Sequence, residues 1–163
     1  GTGALAVEAA RRGAHVVAID LAGQLVELAG ERVPTDLGEG SIDFRVGDML
    51  DPALGTFDHV VGMDSLIHYR APDMARVVSG LASRATGSVL FTYAPRTPLL
   101  SVLHGVGRAF PRSDRAPAIE PIGHGHLTRL LREDRTMRPW RFVRAQRIAS
   151  GFYTSQALEL VRR

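Results

Sequence analysis

The fold of this chain is decided by its first twenty residues, GTGALAVEAARRGAHVVAID (residues 1–20). Gly1 and Gly3 lack a Cβ atom, so the backbone of this turn can approach a ligand closely. A short helix pattern, Ala4 to Arg12, follows the turn, and the apolar strand His15 to Ile19 follows the helix. This order of elements is that of the second half of a nucleotide-binding βαβ unit.

Asp20 stands at the carboxyl end of this strand, where its carboxylate can accept both hydroxyl groups of a ribose. The interval from Gly3 to Asp20 is that of a Rossmann-type fingerprint. The pattern resembles the first motif of class I S-adenosylmethionine methyltransferases, D-x-G-x-G-x-G, of which only the last part is present. An ordinary βαβ turn in an NAD enzyme, or in a domain that binds no nucleotide, is an equal alternative at this point.

Under the methyltransferase interpretation, the residues of the turn and those that follow the strand bind the cofactor. They are Gly1, Gly3, Asp20, Leu21 and Gln24. The first strand of the motif, its acid and its first glycine are expected to precede residue 1. We therefore expect the chain to be a fragment of a longer protein.

Strand and helix patterns alternate through the first part of the chain, which predicts an α/β fold with a mainly parallel, Rossmann-like sheet. These predicted elements are Gln24–Arg32, Ser41–Val46, Thr56–Gly62, Pro72–Ser83 and Gly87–Tyr93. A later helix is predicted over Leu127–Arg132, preceded by a loop that contains His124 and His126. Trp140–Ser150 and Gly151–Val161 are predicted to form an antiparallel hairpin. A closing antiparallel strand is typical of methyltransferase sheets and distinguishes them from dehydrogenase sheets.

The composition is that of an ordinary globular protein. A length of 163 residues with 45% hydrophobic residues suits one domain with a sizeable core. We expect a single domain with an insertion at about residues 96–125, where the alternating pattern breaks. No apolar run reaches the ~20 residues of a membrane-spanning helix. Cysteine is absent, which excludes disulfides and thiolate metal sites, and a cytoplasmic protein is the default expectation.

The formal net charge of +3 conceals an asymmetry between the two parts of the chain. Residues 1–95 carry 7 Arg and 12 acidic residues, whereas residues 96–163 carry 13 Arg and 5 acidic residues. Lys is absent, a bias that genomic base composition also produces. Arg binds carboxylates in a bidentate manner, so the basic second part favours an anionic substrate or an anionic membrane surface. No nucleic-acid-binding motif is present, and nucleic acid is not expected as a partner.

Gly47, Asp48 and Met49 follow the strand Ser41–Val46. In class I methyltransferases an acid at this place accepts from the adenine amino group, and the apolar residue after it packs on the ring. A Gly-Asp turn that only ends a strand is the alternative. The agreement in position with Asp20 favours the cofactor-binding interpretation for all three residues.

A second motif, MDSLIHYR (residues 63–70), follows the apolar strand FDHVVG. Asp64 and Ser65 are predicted to face the methionine end of the cofactor, and His68 and Tyr69 to face the substrate. A lone His is usually structural, but a cluster of four polar side chains at a strand end favours function. No metal-binding spacing such as HExxH is present, so no metal site is predicted in the protein.

Three stretches together resemble the magnesium-protoporphyrin IX O-methyltransferase family of bacteriochlorophyll biosynthesis. They are MDSLIHY (63–69), FTYAPRTPLLSVLHGVGRAFPRSDRAPAIEP (91–121) and RIASGFYTSQALE (147–159). The resemblance covers essentially the whole chain, and its second stretch is the most specific because generic methyltransferases lack it. In this family an N-terminal arm closes over the substrate. Since that arm is not in this sequence, the resemblance implies weakened activity and stability for the chain alone.

The resemblance implies that S-adenosylmethionine donates a methyl group to one propionate of Mg-protoporphyrin IX. His68 and Tyr69 are then the catalytic residues at the acceptor end. Arg96, Arg112 and Arg115 are expected to hold propionates, preferably the one that does not react.

The apolar segment Leu99–Phe110 is expected to cover the flat macrocycle, and an ordinary amphipathic lid helix is the alternative. Magnesium enters only as part of the substrate, with His104 and His126 as candidates for its axial ligand. Delivery of the porphyrin by a magnesium chelatase subunit, and a peripheral contact with the photosynthetic membrane, are further expectations that the residues themselves do not show.

Three other functions compete with this one. The first is a methyltransferase that acts on another small hydrophobic acid or phenol. The second is an NAD-dependent dehydrogenase, which the terminal hairpin and the Gly-Asp-Met motif disfavour. The third is a porphyrin carrier, or a chelatase-interaction module, that has lost catalysis.

Overall fold

The computed structural model describes residues 1–96, 119–150 and 153–163, and their contacts divide the chain into two units. The first unit is Gly1–Leu54 and the second is Gly55–Arg163. The prediction of one domain with an insertion at about residues 96–125 stays a prediction, because most of that segment lies outside the described residues.

The first unit contains two helices and a two-stranded parallel sheet. Its elements are α1 (Ala4–Arg11), β1 (His15–Asp20), α2 (Gly23–Glu31), β2 (Ser41–Val46) and a 3₁₀ turn (Pro52–Leu54). The register runs from His15 opposite Ser41 to Asp20 opposite Val46, so both strands end at the same level. The residues that follow β1 and β2 therefore lie at one edge of this sheet.

Small residues let the elements of the first unit approach each other closely. Gly3 precedes α1 with φ of 79°, a conformation that residues with a Cβ rarely adopt. A Cβ on Gly40 would lie 2.6 Å from the carbonyl carbon of Ala10, so β2 can begin beside α1 only because Gly40 has no side chain. The buried apolar residues of this unit are all alanines, namely Ala6, Ala10 and Ala29.

The second unit contains a four-stranded mixed sheet with two helices. Its elements are β3 (Phe57–Gly62), α3 (Ala71–Ser83), β4 (Ala85–Tyr93), α4 (His124–Glu133), a 3₁₀ turn (Arg135–Met137), β5 (Trp140–Ser150) and β6 (Tyr153–Arg162). The strand order is β3-β4-β6-β5, with β3 and β4 parallel and β6 antiparallel to both of its neighbours. The predicted terminal hairpin and the closing antiparallel strand are confirmed.

The large buried side chains of the described residues all belong to this second unit. Those with the greatest volume are Tyr93, Phe91, Leu66, Met74, Leu127, Leu131, Leu158 and Leu160. Leu127 and Leu131 lie one helical turn apart on α4 and form its apolar stripe. A polar contact joins the end of α4 to α3, where the Ser79 hydroxyl donates to Asp134 Oδ2 at 2.6 Å.

The start of α4 differs from the prediction. The helix begins at His124, so His124 and His126 lie in its first turn and the predicted capping loop is wrong. The residue before the helix is Gly123, which offers no side chain for capping, so the usual Ser, Thr, Asp or Asn signal is missing. Within residues 1–96 and 119–163, no described helix is both long and apolar enough to cross a membrane.

Candidate active site

Asp20 lies at the carboxyl end of β1 with its side chain 30% exposed. Its Oδ1 accepts from the Ala22 N–H at 3.0 Å. Burial raises the pKa of Asp20, and hydrogen bonds from the backbone N–H groups of Ala22 and Leu21 lower it. The side chain is partly exposed, so the carboxylate is ionised at neutral pH and can accept from hydroxyl groups.

Asp48 lies at the same edge of the first unit. The Gly47 N–H donates to the Asp20 carbonyl at 3.0 Å, which joins the ends of the two strands. Asp48 Oδ1 accepts from the Leu50 N–H at 2.9 Å, while Met49 beside it is half-buried. One carboxylate oxygen thus shapes the turn and leaves the other available to a ligand.

Leu21 and Gln24 follow Asp20 in the chain, after the end of β1, and both are exposed. Leu21 is 78% exposed, the largest value among the exposed large hydrophobic residues of the described chain. An apolar side chain that is left uncovered beside Asp20 is suited to contact with a ligand.

In the second unit, Asp64 adopts φ of 53°, and it is the one described residue other than Gly with a positive φ. Asp tolerates this conformation better than most residues. Two hydrogen bonds hold it: the Asp64 N–H donates to Thr92 Oγ1 at 2.8 Å, and the Thr92 hydroxyl donates to Asp64 Oδ1 at 2.9 Å. Thr92 is 1% exposed, so a buried group of β4 fixes the loop that follows β3.

The remainder of this loop carries the predicted acceptor-end residues. Ser65 and His68 are exposed and Tyr69 is half-buried, around a fully buried Leu66 that anchors the loop. The Tyr69 N–H donates to the Leu66 carbonyl at 3.1 Å, which closes a turn. The structure therefore presents Asp64, Ser65 and His68 from one fixed loop at the carboxyl end of β3.

Arg96 lies just beyond β4 and is exposed. Its N–H donates to the Ile122 carbonyl at 2.9 Å, and the Ile122 N–H donates to the Ala94 carbonyl at 2.8 Å. The Glu120 N–H donates to the Ile67 carbonyl at 2.9 Å. Residues 119–122 thus join the end of β4 to the loop that carries His68. Arg112, Arg115, His104 and the segment Leu99–Phe110 lie outside the described residues.

Two polar contacts of this region escape sequence reasoning. One is the Thr92–Asp64 pair, and the other joins the Tyr93 hydroxyl to His124 Nδ1 at 2.8 Å. Burial raises the pKa of Tyr93 to about 12, although the nearby Arg147 opposes this shift. The only feature of the local sequence that points to either pair is the presence of polar residues, Thr92 and Tyr93, at the end of the apolar strand β4.

Two family profiles match the chain. A general methyltransferase domain matches residues 1–85, and the C-terminal region of magnesium-protoporphyrin IX methyltransferase matches residues 62–162. The second match covers more than half of the chain. This chain belongs to the magnesium-protoporphyrin IX methyltransferase family.

Individual relatives in this family are similar over nearly the whole chain. The magnesium-protoporphyrin O-methyltransferase of Rhodobacter capsulatus is 46% identical over 98% of the chain and 67% of its own length. The chloroplastic magnesium protoporphyrin IX methyltransferase of Arabidopsis thaliana is 30% identical over 99% of the chain and 50% of its own length. The chain therefore spans between half and about two thirds of these relatives.

A solved structure of the same family has the same fold. The crystal structure of magnesium protoporphyrin IX methyltransferase from Synechocystis PCC 6803 with bound SAH has a TM-score of 0.81 and 27% sequence identity. The match covers 100% of this chain and 71% of the other. The predicted α/β methyltransferase fold is confirmed by this match together with the domain profile.

Proposed function

We propose that this chain belongs to the catalytic part of an enzyme that transfers a methyl group from S-adenosylmethionine to a propionate of Mg-protoporphyrin IX. The product is the monomethyl ester of (bacterio)chlorophyll biosynthesis. The observation that carries the proposal is the family match over residues 62–162, which includes the loop after β3 and the last two strands. The 46% identity to the Rhodobacter capsulatus relative supports the same substrate.

The residues of the first unit fit S-adenosylmethionine. Asp20 is an ionised acceptor suited to the ribose hydroxyls, and Asp48 has a carboxylate oxygen available for the adenine amino group. Leu21 and Met49 offer apolar contact beside these acids. In the second unit, Asp64 and Ser65 offer acceptors to the ammonium of the methionine end. These assignments, with those of Gly1, Gly3, Gly47 and Gln24, remain predictions.

S-adenosylmethionine supplies an electrophilic methyl group when bound. One carboxylate oxygen of the acceptor forms a bond to that methyl carbon as the carbon–sulfur bond breaks, and the electron pair of that bond goes to sulfur. A carboxyl group with a pKa near ~4 is ionised at neutral pH, so no proton has to be removed. The protein then acts by positioning the reactants and by excluding water.

His68 and Tyr69 are best interpreted as residues that orient the acceptor. A strong Arg–carboxylate pair on the reacting oxygen would reduce its nucleophilicity, so Arg96 is assigned to a propionate that is not methylated. Arg112 and Arg115 are likewise expected to hold a propionate. Within the described ranges no group of three His, Asp or Glu side chains could hold a metal ion, and the magnesium of this proposal belongs to the substrate.

The decisive experiment uses the complete natural protein with S-adenosylmethionine and a panel of acceptors. Methyl transfer to Mg-protoporphyrin IX, with competition against other hydrophobic acids and phenols, is the expected result. Faster transfer to one of those acids or phenols would favour the alternative acceptor. Porphyrin binding without any methyl transfer would identify a carrier.

Delivery of the porphyrin is a separate proposal. We infer that the protein is cytoplasmic and receives its poorly soluble substrate from a magnesium chelatase subunit, with peripheral contact to the photosynthetic membrane as a second route. The excess of Arg in residues 96–163 supports contact with anionic surfaces. Co-purification with chelatase subunits and sedimentation with anionic vesicles, each at low and high salt, test the two routes independently.

A further inference from the structure

Tyr93 and His124 form a polar pair at the carboxyl end of β4. Tyr93 is fully buried, and its hydroxyl lies 2.8 Å from His124 Nδ1. His124 is exposed in the first turn of α4. The pair therefore connects the interior of the second unit to its surface.

The burial of Tyr93 decides which nitrogen of His124 carries the proton. A buried hydroxyl that does not donate leaves its hydrogen unsatisfied, which is costly. His124 Nδ1 is the partner of this hydroxyl, so Tyr93 donates and Nδ1 accepts. Neutral imidazole has one N–H, which then lies on Nε2. The hydrogen bond from Tyr93 thus keeps the N–H of neutral His124 on Nε2. No described residue accepts a hydrogen bond from this N–H.

A depression of about 130 Å³ borders His124 between α4 and the last two strands. Arg132 and Arg144 contribute to its walls. The Arg132 guanidinium lies 5.0 Å from the centre of the Phe142 ring, and Arg144 Nε lies 3.9 Å from Glu159 Oε2. A carboxylate on a two-carbon arm fits this volume, whereas a macrocycle does not.

Further positive charge stands near the Tyr93 end of the pair. Tyr93 of β4 pairs with Gln156 of β6, and Gln156 pairs with Arg147 of β5, so the three residues lie in one row across the sheet. Arg147 is exposed and has no carboxylate partner among the described residues. The surroundings of His124 therefore favour an anion.

Hydrogen bonds connect the start of α4, where His124 lies, to the loop after β3. Residues 119–122, which lead directly into α4, are hydrogen-bonded to Ile67 on one side and to Ala94 and Arg96 on the other. Ile67 precedes His68 in the chain. The start of α4 is thus fixed beside the residues that are assigned to the acceptor.

We propose that this depression, with His124 at its rim, binds the acceptor carboxylate that is not methylated. His124 Nε2–H donates to this carboxylate, Arg144 and Arg132 supply positive charge, and Tyr93 is a positioning residue that fixes the imidazole. The inference rests on the proposed function and adds a second recognition point to it. His124 joins Arg96 as a second group that binds this carboxylate.

The test measures binding of two probes to the complete natural protein by fluorescence quenching. One probe is Mg-protoporphyrin IX, and the other is an analogue in which only one carboxylate is left. His124→Asn keeps an acceptor for Tyr93 but removes the outer N–H, and Tyr93→Phe removes only the hydroxyl. Arg144→Ala removes one cation. Arg129→Ala is the matched control, because Arg129 is an exposed cation of the same helix that does not line the depression.

The wild type should prefer the two-carboxylate probe by at least tenfold. His124→Asn and Arg144→Ala should each lower this preference by about 10-fold, as expected for a charged hydrogen-bond partner. Tyr93→Phe should lower it by about threefold and should move the ¹⁵N signals of His124 toward the other tautomer. The Arg129→Ala control should leave the preference unchanged, and the affinity for S-adenosylmethionine should be unchanged in every variant.

An unchanged preference in His124→Asn, with the loss appearing only in Arg96→Ala, would overturn the inference and leave the carboxylate to Arg96 alone. Equal binding of both probes by the wild type would also overturn it. A wild-type protein that methylates neither probe would contradict the proposed function itself, which is a different outcome.

Discussion

At the scale of single residues, the sharpest prediction is that Asp20 binds the ribose of the cofactor. Asp20→Ala removes an ionised acceptor at the end of β1. We expect the affinity for S-adenosylmethionine to fall by about 1.5–3 kcal/mol, as for other charged hydrogen-bond partners. Calorimetry on the complete natural protein measures this change.

Asp43→Ala is the control for that experiment. Asp43 is an exposed acid of the neighbouring strand β2 and pairs with Arg45, away from the strand ends. Its substitution should leave cofactor affinity within about 0.5 kcal/mol of wild type. If both variants bind equally well, Asp20 does not contact the ribose.

His68 makes the second prediction at this scale. His68→Ala should lower turnover on the order of 100-fold, because small displacements of the acceptor carboxylate are costly. Affinity for S-adenosylmethionine should stay within about 0.5 kcal/mol. Single-turnover rate, cofactor affinity and melting temperature are measured on one preparation.

His59→Ala serves as the matched histidine control. His59 is exposed on β3 and bonds to the Ser88 hydroxyl at 2.8 Å, away from the loop that carries His68. The His59→Ala substitution should leave turnover unchanged. A lower melting temperature with normal turnover in His68→Ala would show that His68 only stabilises the loop.

At the scale of elements, Gly40 decides whether β2 can begin beside α1. Gly40→Ala would place a methyl group against the Ala10 carbonyl, which is backbone and cannot move aside. We expect the free energy of unfolding to fall by about 1–3 kcal/mol. Chemical denaturation measures it, with Gly30→Ala as the comparison.

Gly30 lies in α2 with nothing within 4 Å of its missing Cβ. Gly30→Ala should be neutral or stabilising by up to about 1 kcal/mol, because Ala favours helix. If Gly40→Ala behaves like Gly30→Ala, the approach of β2 to α1 is looser than the structure indicates.

The stability of the junction between α3 and the end of α4 is expected to depend on pH. The Ser79 hydroxyl, followed by the hydroxyl and N–H of Thr136, lowers the pKa of Asp134 below its usual value. A lowered folded-state pKa contributes stability above the unfolded pKa, and this stability is lost as pH falls through the folded pKa. Ser79→Ala should therefore cost roughly 1 kcal/mol at pH 7, and the difference should shrink below about pH 4.

Thermal melts between pH 7 and pH 3 follow this difference. Ser83→Ala is the matched control, since Ser83 ends the same helix and donates only to the Gly80 carbonyl. Its effect should not vary with pH. A Ser79→Ala penalty that is the same at pH 7 and pH 3 would contradict the linkage to Asp134.

Sequence reasoning locates elements better than contacts, and the reason is physical. The alternating strand Ser41–Val46 and the helix over α3 are each recognised from a local period, and both are observed within a residue or two of the prediction. The start of α4 is not recognised, because the residue before it is Gly123, which has no side chain to mark the beginning of a helix. The Tyr93–His124 pair joins residues 31 positions apart, so only the assembled sheet reveals it.

At the scale of the whole molecule, apolar burial is distributed unequally. The first unit buries only alanines among its apolar residues, whereas the second buries aromatic and branched side chains. Local stability follows buried apolar area. Backbone amides of β1 and β2 in this 163-residue chain should exchange with solvent at least tenfold faster than those of β4 and β6.

Hydrogen exchange with mass spectrometry measures both units in one experiment. Saturating S-adenosylmethionine should slow exchange at the carboxyl ends of β1 and β2, since a ligand stabilises the state that binds it. Equal protection of both units without ligand would show that alanine packing alone is enough to hold the first unit.

The position of β6 between β4 and β5 determines when the second sheet can form during synthesis. Ser88 of β4 pairs with Val161 of β6, so β4 gains its second neighbour only when nearly the last residues of this chain have left the ribosome. Until then β5 has no strand to join, because β6 is its only partner in the described sheet. A nascent chain that stalls before β6 holds β4 with an open edge, the kind of surface that chaperones capture and that seeds aggregation.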